Sequence, residues 1–297
     1  MKPKERSVLK TPHLEELKKK RRRATRNKIL LCVFGFLIFV TGLSFLSKIS
    51  SLSIKSVEIR GANILDPQSI KDNVNLALNG NYFYLFSKHN VFLYPEKKIK
   101  KQLSSIPRIK SFNVYKENFS NLVVDITERE NKYTWCGNDI PADNSNPKDN
   151  KCYFMDNAGY IFDEAPYFSG NVYFRFFGKI KQSIDNPSGS YFMPDSFEKI
   201  TSFKNTLEGM NIKLSAFLAK EDGDMEFYLS SDPVLTNAPK IIFKSDADFE
   251  KLAENLQAVM TVEPLKSYFD KKGPSLLYID LRFGNKVYYK FQNETPK

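Results

Sequence analysis

Histidine is almost missing from this chain, and with it most routes to chemistry at neutral pH. Only His13 and His89 occur in 297 residues. A Ser-His-Asp or Cys-His arrangement needs an imidazole beside its nucleophile. His13 lies in a basic leader, so any such site would have to be built on His89. His89 sits inside an aromatic segment and reads as a packing or surface residue. The sequence also contains no H-E-x-x-H, no phosphate-binding G-x-x-x-x-G-K-[ST] and no G-x-G-x-x-G. Asp222 and Asp224 flank Gly223 like a fragment of a calcium loop, but the other ligand positions of such a loop are missing, and a hairpin turn accounts for them better. Carboxylates are plentiful, yet nothing pairs two of them across a groove as a glycosidase requires. The expectation is a protein that is not an enzyme, with no catalytic, cofactor or metal site.

Cysteine is scarce too. Cys32 lies in an apolar run and reads as a filler, while Cys136 and Cys152 flank GNDIPADNSNPKDNK, a polar stretch without the apolar residues to form a core. If the flanks around Cys136 and Cys152 are paired strands, a disulfide would close a loop of about 15 residues and contribute on the order of 3 kcal/mol. Two buried free thiols are the alternative.

Charge is absent from Ile29 to Leu46, eighteen residues in which only Thr41 and Ser44 carry hydroxyls. As a helix this run covers roughly 27 Å, close to the hydrocarbon thickness of a bilayer. A cleaved signal peptide has a shorter apolar core and a small-residue cleavage site, and SKISSLSIK supplies no such site. Residues 1–28 hold twelve Lys or Arg against three Glu, a net +9 of the chain's +11. The positive-inside rule therefore predicts an N-terminus in the cytoplasm and the rest outside it, with the basic leader also resting on anionic lipids. Only +2 remains for the other residues, so the folded part lacks the positive field that nucleic-acid binding demands.

Beyond the anchor, IKSVEIR at 54–60 reads as a strand ending at Gly61. Asp66 and Pro67 open a helix marked by Ile70, Val74 and Leu78 and stopped at Gly80. NYFYLFSKHNVFLY carries six aromatics in fourteen residues and is expected to pack between a helix and a sheet, with a membrane-surface loop as the alternative. Pro95 opens a second helix through Ile99 and Leu103, ended by Pro107. Strands follow at 111–116 and 121–129. Strand, helix, helix, strand, strand makes a three-stranded sheet covered on one face by two helices. Residues 133–183 read as short strands. Asp195 is placed to cap a helix through Phe197, Ile200, Phe203 and Leu207. A hairpin turns at Asp222-Gly223. Ser245 and Asp248 form a capping box for a helix through Phe249, Leu252 and Leu256. Strands at 275–283 and 286–292 are joined by Gly284-Asn285, and the last reads as a sheet edge, where another chain can add a strand. Val287, Tyr289 and Phe291 share one face of it.

With these segments in place the chain resembles the FtsQ/DivIB family of bacterial cell-division proteins. The resemblance is carried by IKSVEIRGANILDPQSI at 54–70, IPRIKSFNVYKENFSNLVVDITERE at 106–130, YFMDNAGYIFDE at 153–164 and YIDLRFGNKVYYKF at 278–291. Ser120 and Asn131 stand where the family commonly has Pro, and Cys136 and Cys152 are not a family feature.

The resemblance implies an α+β chain: a cytoplasmic basic tail (1–28), one transmembrane helix (29–47), a POTRA domain (52–130), a larger mixed α/β domain built on an antiparallel β-sheet (131–292) and a short tail (293–297). It further implies a non-enzymatic divisome scaffold of the cytoplasmic membrane, single-pass, acting at the division septum. Its partners would be two small coiled-coil membrane proteins, one FtsB/DivIC-like and one FtsL-like, bound by strand addition to the C-terminal strand pair. Phe283 matches the aromatic after Asp-Leu-Arg, and Val287 and Tyr289 match alternating positions of the last strand; Phe291 extends that face. The alternative is another membrane-anchored POTRA protein acting in envelope protein assembly or transport.

Overall fold

A computed structural model of the chain describes residues 12–141, 151–168, 170–181, 186–229, 235, 238–270 and 275–292. The start of the basic leader, the centre of the insert between the cysteines and the tail at 293–297 lie outside the described residues.

The first element is a long helix, α1 (Pro12–Ser47). It extends well upstream of the apolar run because Lys and Arg are good helix formers and the KKKRRR segment contains nothing to stop it. Its apolar part is long and apolar enough to cross a membrane, which supports a single-pass topology. A single 3-10 turn at Ser50–Leu52 follows.

The chain divides into two compact units, Met1–Ser105 with Ser111–Thr127, and Ile106–Lys110 with Glu128–Lys297. In the first, β1 (Ser56–Arg60) leads through Gly61 into α2 (Pro67–Leu78). Asp66 caps α2, its carboxylate accepting the Gln68 and Ser69 N–H groups at 3.1 and 3.0 Å, and Pro67 occupies the first turn, where its missing N–H costs nothing. A small hairpin of β2 (Asn81–Tyr82) and β3 (Phe86–Ser87) precedes α3 (Glu96–Ser104). Two long strands, β4 (Ile109–Lys116) and β5 (Asn121–Glu128), complete a sheet in the order β1-β5-β4, with β1 parallel to β5. Ile70, Val74, Ala77 and Leu78 of α2 and Ile99 and Leu103 of α3 are buried, as are Leu122, Val123 and Val124 of β5. Gly61 has φ +78, and a Cβ there would lie 2.1 Å from the Ile126 carbonyl oxygen, so the turn out of β1 requires glycine.

The aromatic segment at 81–94 departs from expectation. Phe83 and Tyr84 form the tip of the β2–β3 hairpin and are 87% and 93% exposed, rather than packed between helix and sheet. Both adopt left-handed backbone, φ 48° and 63°, which turns their side chains away from the unit.

In the second unit nine strands form one sheet. They are β6 (Tyr133–Trp135), β7 (Cys152–Met155), β8 (Ile161–Ala165), β9 (Arg175–Phe177), β10 (Ala216–Ala219), β11 (Asp224–Tyr228), β12 (Lys240–Lys244), β13 (Leu276–Phe283) and β14 (Lys286–Phe291), in the order β14-β13-β12-β11-β10-β9-β6-β7-β8. The sheet is mixed rather than purely antiparallel, because β6/β9, β9/β10 and β12/β13 run parallel. The central strands bury both faces. Phe176, Phe217 and Phe227 point into the main core, and their chain neighbours Phe177, Leu218 and Tyr228 point into a second cluster with Cys136, which is the period-two alternation of a strand with no wet side.

Helices α4 (Phe197–Gly209), α5 (Phe249–Met260) and the short α6 (Leu265–Phe269) supply the rest of the main core. Two caps differ from the sequence pattern. Asp248 itself caps α5, accepting from the Glu250 and Lys251 N–H groups. Ser245 lies three residues upstream of that cap, and its own N–H donates to the Gly223 carbonyl at 3.0 Å. At α4 the cap position is Ser196, with no side-chain cap bond, so Asp195 does not cap it.

Candidate interaction surface

The C-terminal strand pair is a hairpin closed by Gly284-Asn285, with Phe283 opposite Lys286. Gly284 has φ +65, the left-handed conformation that a two-residue turn matching strand twist needs. The Asn255 amide of α5 donates to the Gly284 carbonyl at 3.1 Å and ties the turn to the helix. β13 carries irregularities between Leu276 and Tyr278 and between Asp280 and Phe283, which increase local twist. β14 pairs with β13 on one side, and among the described residues no strand covers its other side.

The side chains of the pair divide into two sets. Phe291 is fully buried and Val287 packs against the main core. Tyr289, opposite Ile279, shares their face but lies at its margin, half-exposed, with its ring 5.8 Å from Phe291. Phe283 and Tyr288 are exposed and meet edge to face at 5.1 Å. Tyr288 carries no family signal, and what marks it is only its place on the strand face opposite Tyr289. Of the three residues singled out by resemblance and Phe291, which shares a face with two of them, Phe283 and Tyr289 present side chains, while Val287 and Phe291 hold the strand from beneath.

Asp280 and Arg282 explain the Asp-Leu-Arg signature. Two residues apart in β13, they point the same way, and Arg282 Nε and Nη2 donate to Asp280 at 2.9 and 2.5 Å. Arg282 Nη1 also donates to Asp224 Oδ2 at 2.5 Å, and Lys244 Nζ lies 2.5 Å from Asp224 Oδ1. Asp224 thus belongs to an ion network and not to a calcium loop. Burial alone would raise its pKa, but the hydrogen bonds from Lys244 and Arg282 outweigh that and hold it below the usual carboxylate range. Glu226, buried in β11, is lowered in the same way against its own burial by Lys220, Tyr228 and Lys240. The Arg282 guanidinium also sits 5.8 Å from the Phe283 ring, giving the exposed aromatic a fixed cationic neighbour.

Cys136 and Cys152 are joined in a disulfide, with Cα atoms 4.1 Å apart. The β6/β7 register pairs Trp135 with Tyr153, so the next residues outward, Cys136 and Cys152, face each other. His89 is partly buried, and its carbonyl accepts the Ile54 N–H. Among the described residues no group of three or more His, Cys, Asp or Glu side chains is placed to hold a metal.

Residues 52–129 match the family model for the POTRA domain, FtsQ-type. The small unit contains an FtsQ-type POTRA domain. Its β-α-α-β-β order and parallel β1/β5 pair are the body of the matched segment. No curated protein matches the chain. An apolar helix followed directly by a POTRA domain, a module that generally serves as a non-enzymatic scaffold, supports a membrane-anchored protein capable of protein–protein scaffolding.

Proposed function

We propose that the protein is a divisome scaffold of the FtsQ/DivIB family, with the POTRA domain at 52–130 and a β domain at 131–292. The observation that carries this reading is the FtsQ-type POTRA match immediately behind a membrane-length helix. The N-terminus lies in the cytoplasm, as the +9 leader favours, and both folded units lie outside, where a Cys136–Cys152 disulfide is chemically at home. The β14 edge takes up a strand from FtsB/DivIC-like and FtsL-like coiled-coil membrane proteins, and the basic leader rests on anionic lipids. The protein has no catalytic or cofactor role in this reading, and it links its partners to septal cell-wall synthesis.

The experiment is localisation of a fluorescent fusion in dividing cells. A band at mid-cell that precedes constriction is expected. Uniform distribution around the envelope, with normal septation after depletion, would replace this reading with an anchored POTRA protein of envelope assembly or transport.

A further inference from the structure

The β2–β3 hairpin holds two large aromatics out into solvent in a conformation that L-residues seldom adopt, and nothing among the described residues of its own unit covers them. Phe83 and Tyr84 are 87% and 93% exposed, with φ 48° and 63°. The hairpin itself is well held. The Leu85 N–H donates to the Tyr82 carbonyl at 3.0 Å, and Asn81 and Tyr82 pair with Ser87 and Phe86. Exposure of the tip is therefore built in by the turn.

What the tip faces follows from how the hairpin is attached. Ser44 Oγ of α1 donates to the Leu85 carbonyl at 2.6 Å, the Ser87 N–H donates to Ser47 Oγ at 3.3 Å, and the Asn90 side-chain amide donates to the Ser47 carbonyl at 3.2 Å. Ser44 and Ser47 are buried by this contact while Phe45 and Leu46, on the same turn of α1, remain exposed. Ser44 lies two residues before the end of the charge-free run at Leu46, about 3 Å along a helix axis. The carbonyl next to the aromatic tip is thus clamped to the last turn of the apolar helix. When that run fills the hydrocarbon layer, the tip sits where acyl chains meet headgroups. That boundary is where Tyr and other amphipathic rings are enriched. Exposed Lys48 follows the helix end and Lys88 lies 5.5 Å from the Tyr82 ring, placing ammonium groups at the level of lipid phosphates.

We propose that the β2–β3 hairpin is a lipid-binding element: Phe83 and Tyr84 enter the headgroup–acyl boundary of the bilayer that α1 crosses and dock the POTRA domain against it. The proposal rests on α1 spanning a membrane and not on the role in division. It also gives α1 a rigid junction with the domain, in place of a swivel at residues 48–55.

The test uses the full chain reconstituted into phosphatidylcholine vesicles with lipids brominated either near the headgroup or deep in the acyl chain. Native Trp135 is buried and serves as the internal blank. Phe83→Trp introduces a reporter at the tip, and Ile64→Trp introduces one beyond the far end of β1. The expected result is blue-shifted F83W emission, quenched by the shallow bromine label at least about twofold more than I64W, with weaker quenching by the deep label. Equal quenching of the two reporters, or none of F83W, overturns the proposal. Extraction of the wild-type chain from the vesicles by alkaline carbonate would overturn the membrane-spanning reading itself, and the lipid contact with it.

Discussion

At the scale of single residues, the second unit turns on a buried ion pair. Arg129 Nη1 lies 2.5 Å from Asp156 Oδ2, both side chains being largely buried. Its guanidinium stacks on Tyr160 at 3.7 Å, and its Nε donates to the Pro107 carbonyl at 3.0 Å. Asp156 accepts the Ala158 and Tyr160 N–H groups at 2.9 and 3.0 Å, so one carboxylate shapes the Asn157–Gly159 turn and fixes the arginine. Gly159 has φ +77, and a Cβ there would lie 2.9 Å from the Phe197 ring. Nearby, Arg108 pairs with Asp163 and lies 5.1 Å from the Phe162 ring. Removing one partner of such a pair strands a buried charge, which costs about 3–5 kcal/mol. Arg129→Ala is expected to destabilise the second unit by that amount, and Arg129→Lys by less, since charge is kept while the stack and the fork are lost. Urea unfolding of the full chain checks this, and a loss under about 1 kcal/mol for R129A would show the pair to be marginal. The turn at Asn157–Gly159 is built of residues with a local turn preference. The Arg129–Asp156 pair was not legible in the sequence, because an ion pair between residues 27 apart leaves no periodic trace.

At the scale of elements, legibility followed locality. The Asp66 cap, the Pro67 start, the Phe197-Ile200-Phe203-Leu207 stripe and both C-terminal strands depend on neighbours within a turn or a hairpin. The start of α5 differs from the sequence pattern because Ser245 and Asp248 are both good cap residues, and it is Asp248 that accepts the Glu250 and Lys251 N–H groups. β12 has three consecutive apolar residues between two lysines and shows no alternation, because Ile241, Ile242 and Phe243 are all buried. The edge status of β14 could be suspected from its position but is set by the whole strand order. That edge carries the next prediction. Successive residues of a strand direct their N–H groups to opposite sides, and Tyr288 and Tyr289 pair regularly with Asp280 and Ile279. Of Tyr288→Pro and Tyr289→Pro, one therefore deletes an outward donor while leaving the β13 ladder whole. That variant is expected to keep the wild-type melting profile and to lose at least about tenfold in capture of the proposed coiled-coil partners. Phe283→Ala with Tyr288→Ala is expected to weaken capture by a similar factor through lost aromatic contact. If neither proline variant separates folding from binding, strand addition at β14 is not the mode of contact.

At the scale of the whole molecule, the chain is divided by charge, hydropathy and covalent bonding. The leader holds most of the net charge, α1 holds the long apolar run, and the disulfide falls in the second unit alone. This partition explains what sequence showed most plainly, since an anchor and a charge imbalance are sums over many residues and survive local error. The aromatic tip of the first unit was harder to place, because a run of aromatics is equally the signature of a core and of a membrane contact. Only the bond from Ser44 Oγ to the Leu85 carbonyl and the bond from the Ser87 N–H to Ser47 Oγ fix its place against α1. The disulfide gives a prediction that reports on both units at once. Closing the polar insert between β6 and β7 limits the unfolded state of the second unit by about 3 kcal/mol, which for a unit of this size corresponds to roughly 6–12 °C in melting temperature. The POTRA domain contains no cysteine, so its transition has no reason to move. Calorimetry of the full chain in detergent, with and without reductant, is expected to show one transition falling by that amount while the other stays in place. Intact mass should rise by about 2 Da on reduction, one hydrogen for each sulfur. If both transitions fell together, the units would not unfold independently; if neither moved while the mass changed, the bridge would add nothing to the stability of the second unit.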